Sequence, residues 1–259
     1  MGEVWRARSL RLDREVAVKR VSTEIPDAHD RLVHEAKAIA RLRHPSIVQV
    51  FDVVYDEHEA PYLVMELLEG TDLGHLLNEH GPLPQVRAVA LILQVIHGLQ
   101  AAHAHGVIHR DVKPDNIMLT LDDHGRERPV LLDFGISQIA WDRESRGPVA
   151  GTPDFMAPEQ FTGMAVGAEA DQWSTCVTLY SLVVGRSPFH RKSLEALFEA
   201  IAAAPLPYPR EAEMDPSLFA ILARGTRKAP EDRYPNLDEL QDALETWLNR
   251  QAPRRTRYP

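Results

Sequence analysis

The stretch His109-Arg110-Asp111-Val112-Lys113-Pro114-Asp115-Asn116 gathers carboxylates, an amide oxygen, a lysine and an arginine into eight residues. Twenty-two residues beyond Asp111 comes Asp133-Phe134-Gly135, behind the apolar run Val130-Leu131-Leu132. Hard oxygen donors of this kind suit Mg²⁺, which keeps several waters and bridges phosphates. A carboxylate beside a cation can also orient a hydroxyl. A His-Arg-Asp tripeptide alone reads as readily as a surface turn. The fixed positions around it, with Asp-Phe-Gly after a hydrophobic strand, set that plainer reading aside.

The elements that must position these groups follow from periodicity. Residues 15–21 alternate with period two, as a strand with one buried face does. Residues 30–42 carry Leu32, Ala36, Ile39 and Ala40 at helical spacing, and His44-Pro45 ends that helix. Residues 47–54 and 62–66 read as two further strands. After Gly70 the pattern turns helical: 84–103, then 168–184, which is nearly apolar all round and predicted to lie in the middle of the domain. Leu194, Leu197, Phe198 and Ile201 fit another helix. Asp215-Pro216 is an N-cap with proline at the first helical position. Asn236 with Glu239 resembles a capping box that opens a last helix through Leu248. A small strand-rich part therefore precedes a larger helical one, joined near 67–71.

The 259 residues suffice for one large domain, and 44% hydrophobic with 26% charged residues excludes a disordered or collagen-like chain. With 38 acidic against 29 basic residues the net charge is −9, which disfavours nucleic-acid and anionic-membrane partners. The apolar stretch 88–96, broken by Gln94, falls short of a membrane span. No secretory leader or myristoylation pattern is read, so no membrane segment and a cytoplasmic location are expected. The single cysteine, Cys176, makes no internal disulfide.

At this point the sequence resembles the eukaryotic-type Ser/Thr protein kinases, especially the bacterial members, from Gly2 to about Leu248. The motifs are Asp111 with Asn116, Asp133-Phe134-Gly135, Ala157-Pro158-Glu159 and Val16-Ala17-Val18-Lys19. The resemblance implies an α+β, two-lobed protein-kinase-like fold. A small β-rich lobe (1–68) would lack its first strand, a larger α-helical lobe would span 69–250, and 251–259 would be a basic flexible tail.

The same resemblance implies roles. Lys19 would hold the α- and β-phosphates of ATP, with Glu35 as its partner; Asp111 would orient the substrate hydroxyl, Lys113 would neutralise the moving phosphoryl group, and Asn116 and Asp133 would carry Mg²⁺. Met65 would be the gatekeeper, backbone groups of Glu66 and Leu68 would meet adenine, and Asp72 the ribose. Gly2 belongs to the phosphate loop, and Val4, Ala17 and Met118 would sandwich the ring. Glu159 and Arg233 resemble the pair that ties the activation segment down. Asp171 resembles the anchor of the catalytic loop, with His103 reaching the same carboxylate, while Val50, Ile39, Phe134 and His109 match a stacked spine between lobes. Lys113 and Thr152 select the Ser/Thr subclass. The implied partners are Ser/Thr-bearing protein substrates, with autophosphorylation. Arg110 before Asp111 suggests control by a phosphorylated loop, and Ser145 is its candidate site.

One departure stands out. Only the end of the Gly-rich loop is present, Gly2 matching its third glycine and Val4 the valine that follows. The expectation is an upstream start, testable in the nucleotides ahead of Met1. Two lost amide contacts to phosphate, each worth about 1.5–3 kcal/mol, would weaken transition-state stabilisation by roughly 10²- to 10⁴-fold. The alternatives are a pseudokinase-like scaffold and, disfavoured by Thr152 and Ala157-Pro158-Glu159, a small-molecule phosphotransferase.

Overall fold

The computed structural model describes residues 3–10, 13–20, 38–58, 60–134, 153–162, 166–210 and 213–251. Four antiparallel strands form the first sheet: β1 (Val4–Ser9), β2 (Arg14–Arg20), β3 (Val50–Tyr55) and β4 (Pro61–Glu66), in the order β1-β2-β4-β3. The register sets Ala17 against Met65 and Lys19 against Val4, so all four side chains share one face of the sheet. The strict alternation expected of 15–21 does not hold. Val16 and Ala17 are both buried, because this central strand is covered on both faces. β1 lies at the sheet edge with Val4 and Trp5 exposed, and its hairpin to β2 carries the ion pairs Arg6–Glu15 at 2.6 Å and Arg8–Asp13 at 2.7 Å.

The strand expected over 47–54 is split. β3 begins only at Val50, whereas Ile47 forms a parallel bridge with Leu131. Leu131 N–H donates to Ser46 O at 2.9 Å and Val48 N–H to Leu131 O at 3.0 Å. Half of that apolar run thus pairs within the first sheet and half reaches across to the second part of the molecule. The second sheet is β5 (Thr71–Asp72), β6 (Ile117–Leu121) and β7 (Glu127–Leu131). Between the two sheets the chain passes Gly70 at φ +153°, where a Cβ would sit 2.1 Å from Leu119 O, so only glycine fits the crossing.

Seven helices follow among the described residues: α1 (Leu73–His80), α2 (Gln85–His103), α3 (Glu159–Thr162), α4 (Glu169–Val184), α5 (Leu194–Ala203), α6 (Pro216–Gly225) and α7 (Leu237–Gln251). α4 is buried from Ala170 to Val183 and forms the centre of this part, as its all-round apolar pattern predicts. α2 packs on α7, β7 and α4. It is long and apolar enough to cross a membrane by length and composition, and the residues that make it so, such as Val89, Ile92 and Ile96, are buried in the core. The helix starts obey the capping signals. Asp215 accepts from Ser217 and Leu218 N–H with Pro216 at the first position, and Asn236 Oδ1 accepts from Glu239 N–H at 3.0 Å. α7 extends through Gln251, so this residue belongs to the helix and not to the tail. The helix continues three positions past Leu248, its last apolar residue packed on the core.

Candidate active site

The site is built on one buried carboxylate. Asp171 lies in the first turn of α4 and is fully buried. Its Oδ2 accepts from His109 N–H at 2.8 Å and lies 2.7 Å from His103 Nε2, and its Oδ1 accepts from Arg110 N–H at 2.6 Å. Arg110 has φ +65°, a left-handed conformation that arginine seldom adopts. Such a residue costs about 1–3 kcal/mol and persists only where its surroundings over-determine it. Here the donor bonds to Asp171 do so, together with Gln160 Nε2, which donates to Arg110 O at 2.8 Å. Thr178 Oγ1, two helical turns beyond Asp171, donates to Val112 O at 3.2 Å. The turn that follows is thereby presented as a fixed object.

At its tip Lys113 Nζ donates to Asp111 Oδ2 at 2.7 Å, and Asn116 Nδ2 donates to the same Oδ2 and to Asp111 O, each at 2.8 Å. Lys113 and Asn116 are themselves buried. One oxygen of Asp111 is thus fixed by two donors, and the other takes no hydrogen bond among the described residues. With its amide nitrogen committed to Asp111, Asn116 likewise keeps Oδ1 for something else. Its backbone also fixes the neighbouring strand end, since Leu132 N–H donates to Asn116 O at 2.9 Å.

Asp133 follows at φ +50°, which an aspartate tolerates better than most residues. Its Oδ2 lies 2.5 Å from Lys19 Nζ, so the lysine of β2 and the aspartate beyond β7 meet across the cleft between the two parts. The Asn116 and Asp133 oxygens are a hard-donor pair facing a lysine, which fits a divalent cation bound together with phosphate. Phe134 is buried, and its ring lies 4.5 Å from that of His109, whose Nε2 lies 2.7 Å from Leu132 O. Ile39 and Val50 are buried in the core cluster that also holds Phe134, in keeping with a spine that crosses both parts.

The expected adenine face is assembled from both sheets. Val4, Ala17 and Met65 lie on one face of the first sheet, while Met118 pairs with Asp72 in the second. Glu66 N–H is committed to Gln49 O at 2.9 Å. The Glu66 side chain lies 3.6 Å from Arg128 of β7. Leu68 lies, partly buried, in the crossing. Asp72 has a second task that sequence spacing did not suggest: its Oδ1 accepts from His75 N–H at 2.7 Å and caps α1.

Glu159 and Arg233 form a paired, two-pronged contact at 2.7 and 2.8 Å, with both side chains buried. Arg233 also donates to the carbonyls of Arg227, Lys228 and Glu169. Beside it Lys228 Nζ sits over Trp173 and Phe189 and donates to Ile201 O at 2.7 Å. Burial, with some repulsion from Arg233, lowers the Lys228 pKa to about 8. Sequence reading missed Lys228, and it missed Gln160, which holds Ala157 N–H as well as Arg110 O. The only signal for Gln160 is its place directly after Ala157-Pro158-Glu159. Of the expected site residues, Gly2, Glu35, Gly135, Ser145 and Thr152 lie outside the described residues.

With this geometry in place, comparison with known proteins decides the family. The model of the protein kinase domain matches residues 1–247. The chain belongs to the protein kinase domain family. It is similar to the serine/threonine-protein kinase PknD of Mycobacterium tuberculosis, 38% identical over 265 residues, covering 97% of this chain and 39% of that protein. Similarity extends to PknH of Mycobacterium bovis, 38% identical over 248 residues (93% and 41% covered), and to PknB of Mycolicibacterium smegmatis, 34% identical over 265 residues (98% and 42%). The kinase domain described here thus spans about two fifths of the length of the curated relatives it matches. Membership assigns the two parts as the kinase lobes, and the family uses ATP with a divalent metal.

Proposed function

We propose that this kinase domain transfers the γ-phosphoryl group of ATP to Ser or Thr hydroxyls of proteins, with Mg²⁺ as the metal, and that it also phosphorylates itself. The observation that carries the reading is Asp111, held through one oxygen by Lys113 and Asn116 while the other takes no hydrogen bond among the described residues. That open oxygen accepts the hydrogen bond of the incoming hydroxyl and turns its lone pair toward the phosphorus. Lys113, next to it, offsets negative charge on the phosphoryl group in transit. Lys19 exchanges Asp133 for the α- and β-phosphates. Asn116 and Asp133 would hold Mg²⁺, which would offset negative charge on the phosphates. Adenine lies against Ala17, Met65 and Met118, with Val4 over it and the Glu66 carbonyl and Leu68 backbone at its edge. Asp72 keeps one oxygen for the ribose while the other caps α1. A cytoplasmic location follows from the need for ATP, and the acidic chain favours protein over nucleic-acid partners.

The test is transfer of label from γ-labelled ATP to a generic Ser/Thr protein, compared with the Asp111→Asn variant. Label on protein Ser or Thr, lost in the variant, is the expected result. Label on a sugar or amine instead, or ATP binding without any turnover, would sink the reading.

A further inference from the structure

A cavity of about 910 Å³ opens between the turn ahead of α2, the last turn of α4 and the loops on either side of α5. Its size lies toward the upper end of ligand clefts, about 300–1,000 Å³. Much of its apolar lining is ring: Pro84, Pro207, Tyr180 and Tyr208. Its arginines are Arg186, Arg191 and Arg210, all exposed, and among the described residues the only carboxylate lining it is Glu213. The chain as a whole carries a net charge of −9. An arginine-rich cleft on an acidic molecule concentrates anionic ligands locally. Guanidinium groups pair with carboxylates through two parallel hydrogen bonds, and flat rings suit an extended backbone.

The cleft is coupled to the segment that leads into Ala157-Pro158-Glu159. Ser187 Oγ donates to Asp154 O at 3.2 Å, and His190 Nδ1 lies 3.0 Å from Asp154 Oδ2. Asp154 is buried in the Pro153–Phe155 turn, so one wall of the cleft is tied to that turn by these two contacts. We propose that this cleft docks an acidic, extended segment of a protein substrate, apart from the hydroxyl that receives the phosphoryl group; the proposal rests on the protein-kinase reading above. Charge complementarity selects the occupant. The position beside the 153–155 turn makes docking productive for transfer.

The experiment measures fluorescence anisotropy of a labelled Glu-Pro repeat peptide without Ser, Thr or Tyr, mixed with the whole chain. Saturable binding that weakens with added salt is expected. It should fall at least about tenfold in Arg186→Glu/Arg210→Glu, as expected when charge-assisted hydrogen bonds are lost. A Lys-Pro repeat should not bind. In turnover, a Glu-Pro tail added to a short Ser peptide should lower KM for the parent and not for the double variant, with kcat on the untailed peptide unchanged. Should the charge reversal unfold the chain, Arg186→Gln/Arg210→Gln serves in its place. Equal binding by parent and variant, or equal binding of the Lys-Pro peptide, overturns the proposal. So does a dimer of the parent that the variant loses, which would give the cleft to a second copy. Absence of transfer to the untailed peptide would instead strike the kinase reading, and the anisotropy result would still judge the cleft by itself.

Discussion

The two lobes hold their functional residues by different means. In the helical lobe the catalytic turn hangs from Asp171, a fully buried carboxylate whose oxygens are shared among His103, His109 and Arg110. The ion pair that anchors Ala157-Pro158-Glu159 is equally buried, Glu159 with Arg233. In the strand lobe the β1–β2 hairpin carries exposed pairs, Arg6–Glu15 and Arg8–Asp13, and Lys19 meets its partner across a cleft. Exposed pairs are screened by salt and contribute little. Buried ones are costly to break, because the surviving charge is stranded. The difference separates fixed chemistry from adjustable grip. Asp111 is pre-positioned at the expense of backbone strain at Arg110, whereas Lys19 is held by a single partner from the other lobe.

That contrast can be broken or sharpened by substitution. The largest effect expected is on turnover: Asp111→Asn should lower kcat by about 10²- to 10⁴-fold, measured by single-turnover transfer on a variant shown by calorimetry to be folded at the assay temperature, since the change also leaves the buried Lys113 charge without its partner. A near-parental rate would show that the open oxygen is not used. Next comes Glu159→Ala, which strands Arg233 and should reduce stability by about 3–5 kcal/mol in urea unfolding. The double variant Glu159→Leu/Arg233→Met removes the stranded charge but leaves the carbonyls of Glu169, Arg227 and Lys228 without their donor, so it should recover only part of that loss. No recovery at all would mean that the stranded charge is not what costs there. Asp171→Ala leaves two buried N–H groups unmet, at about 1–3 kcal/mol each, and should reduce stability and turnover together. If only turnover falls, the carboxylate is not what holds Arg110 at its positive φ.

On the other side of the comparison, Lys19→Met should reduce stability less than Asp171→Ala does, because Lys19 and Asp133 keep part of their side chains open to the cleft whereas Asp171 is fully buried. It should nevertheless weaken ATP binding, read by displacement of a fluorescent nucleotide. A stability loss as large as that of Asp171→Ala would erase the distinction between the lobes. The smallest effect concerns pH. Burial lowers the Lys228 pKa from 10.5 to about 8, so between those values the unfolded chain binds the extra proton and stability rises with pH. Cys176 and Tyr234, each raised to about 12 by burial, act in the opposite sense at higher pH. The stability difference between parent and Lys228→Met cancels those contributions. It should grow in favour of the parent from pH 8 to 10.5, and a flat difference would contradict the burial argument.

Local signals carried much of this structure. The catalytic turn, the caps at Asp215 and Asn236 and the buried α4 were legible because each depends on residues a few positions apart. What the sequence concealed depends on distant partners. The 47–54 run divides because Leu131 claims Ser46 and Val48, some eighty residues away in the chain. Strand β2 departs from strict alternation because its second face is covered by other elements. Asp72 serves as a cap only because the chain turns into α1 directly after β5. Gln160 bridges two segments fifty positions apart, and no local pattern announces that.

The split at Val50 has a mechanical consequence. The lobes are joined covalently through the Gly70 crossing and again, by hydrogen bonds, where Ser46 and Val48 clasp Leu131. Two pins define a line. A rotation of the strand lobe about that line would leave both connections intact, whereas a slide or an off-axis twist would break one of them. Such a rotation would change the distance between Lys19 of β2 and Asp133, while the turn bearing Asp111, tied to Asp171 within the helical lobe, would keep its own contacts.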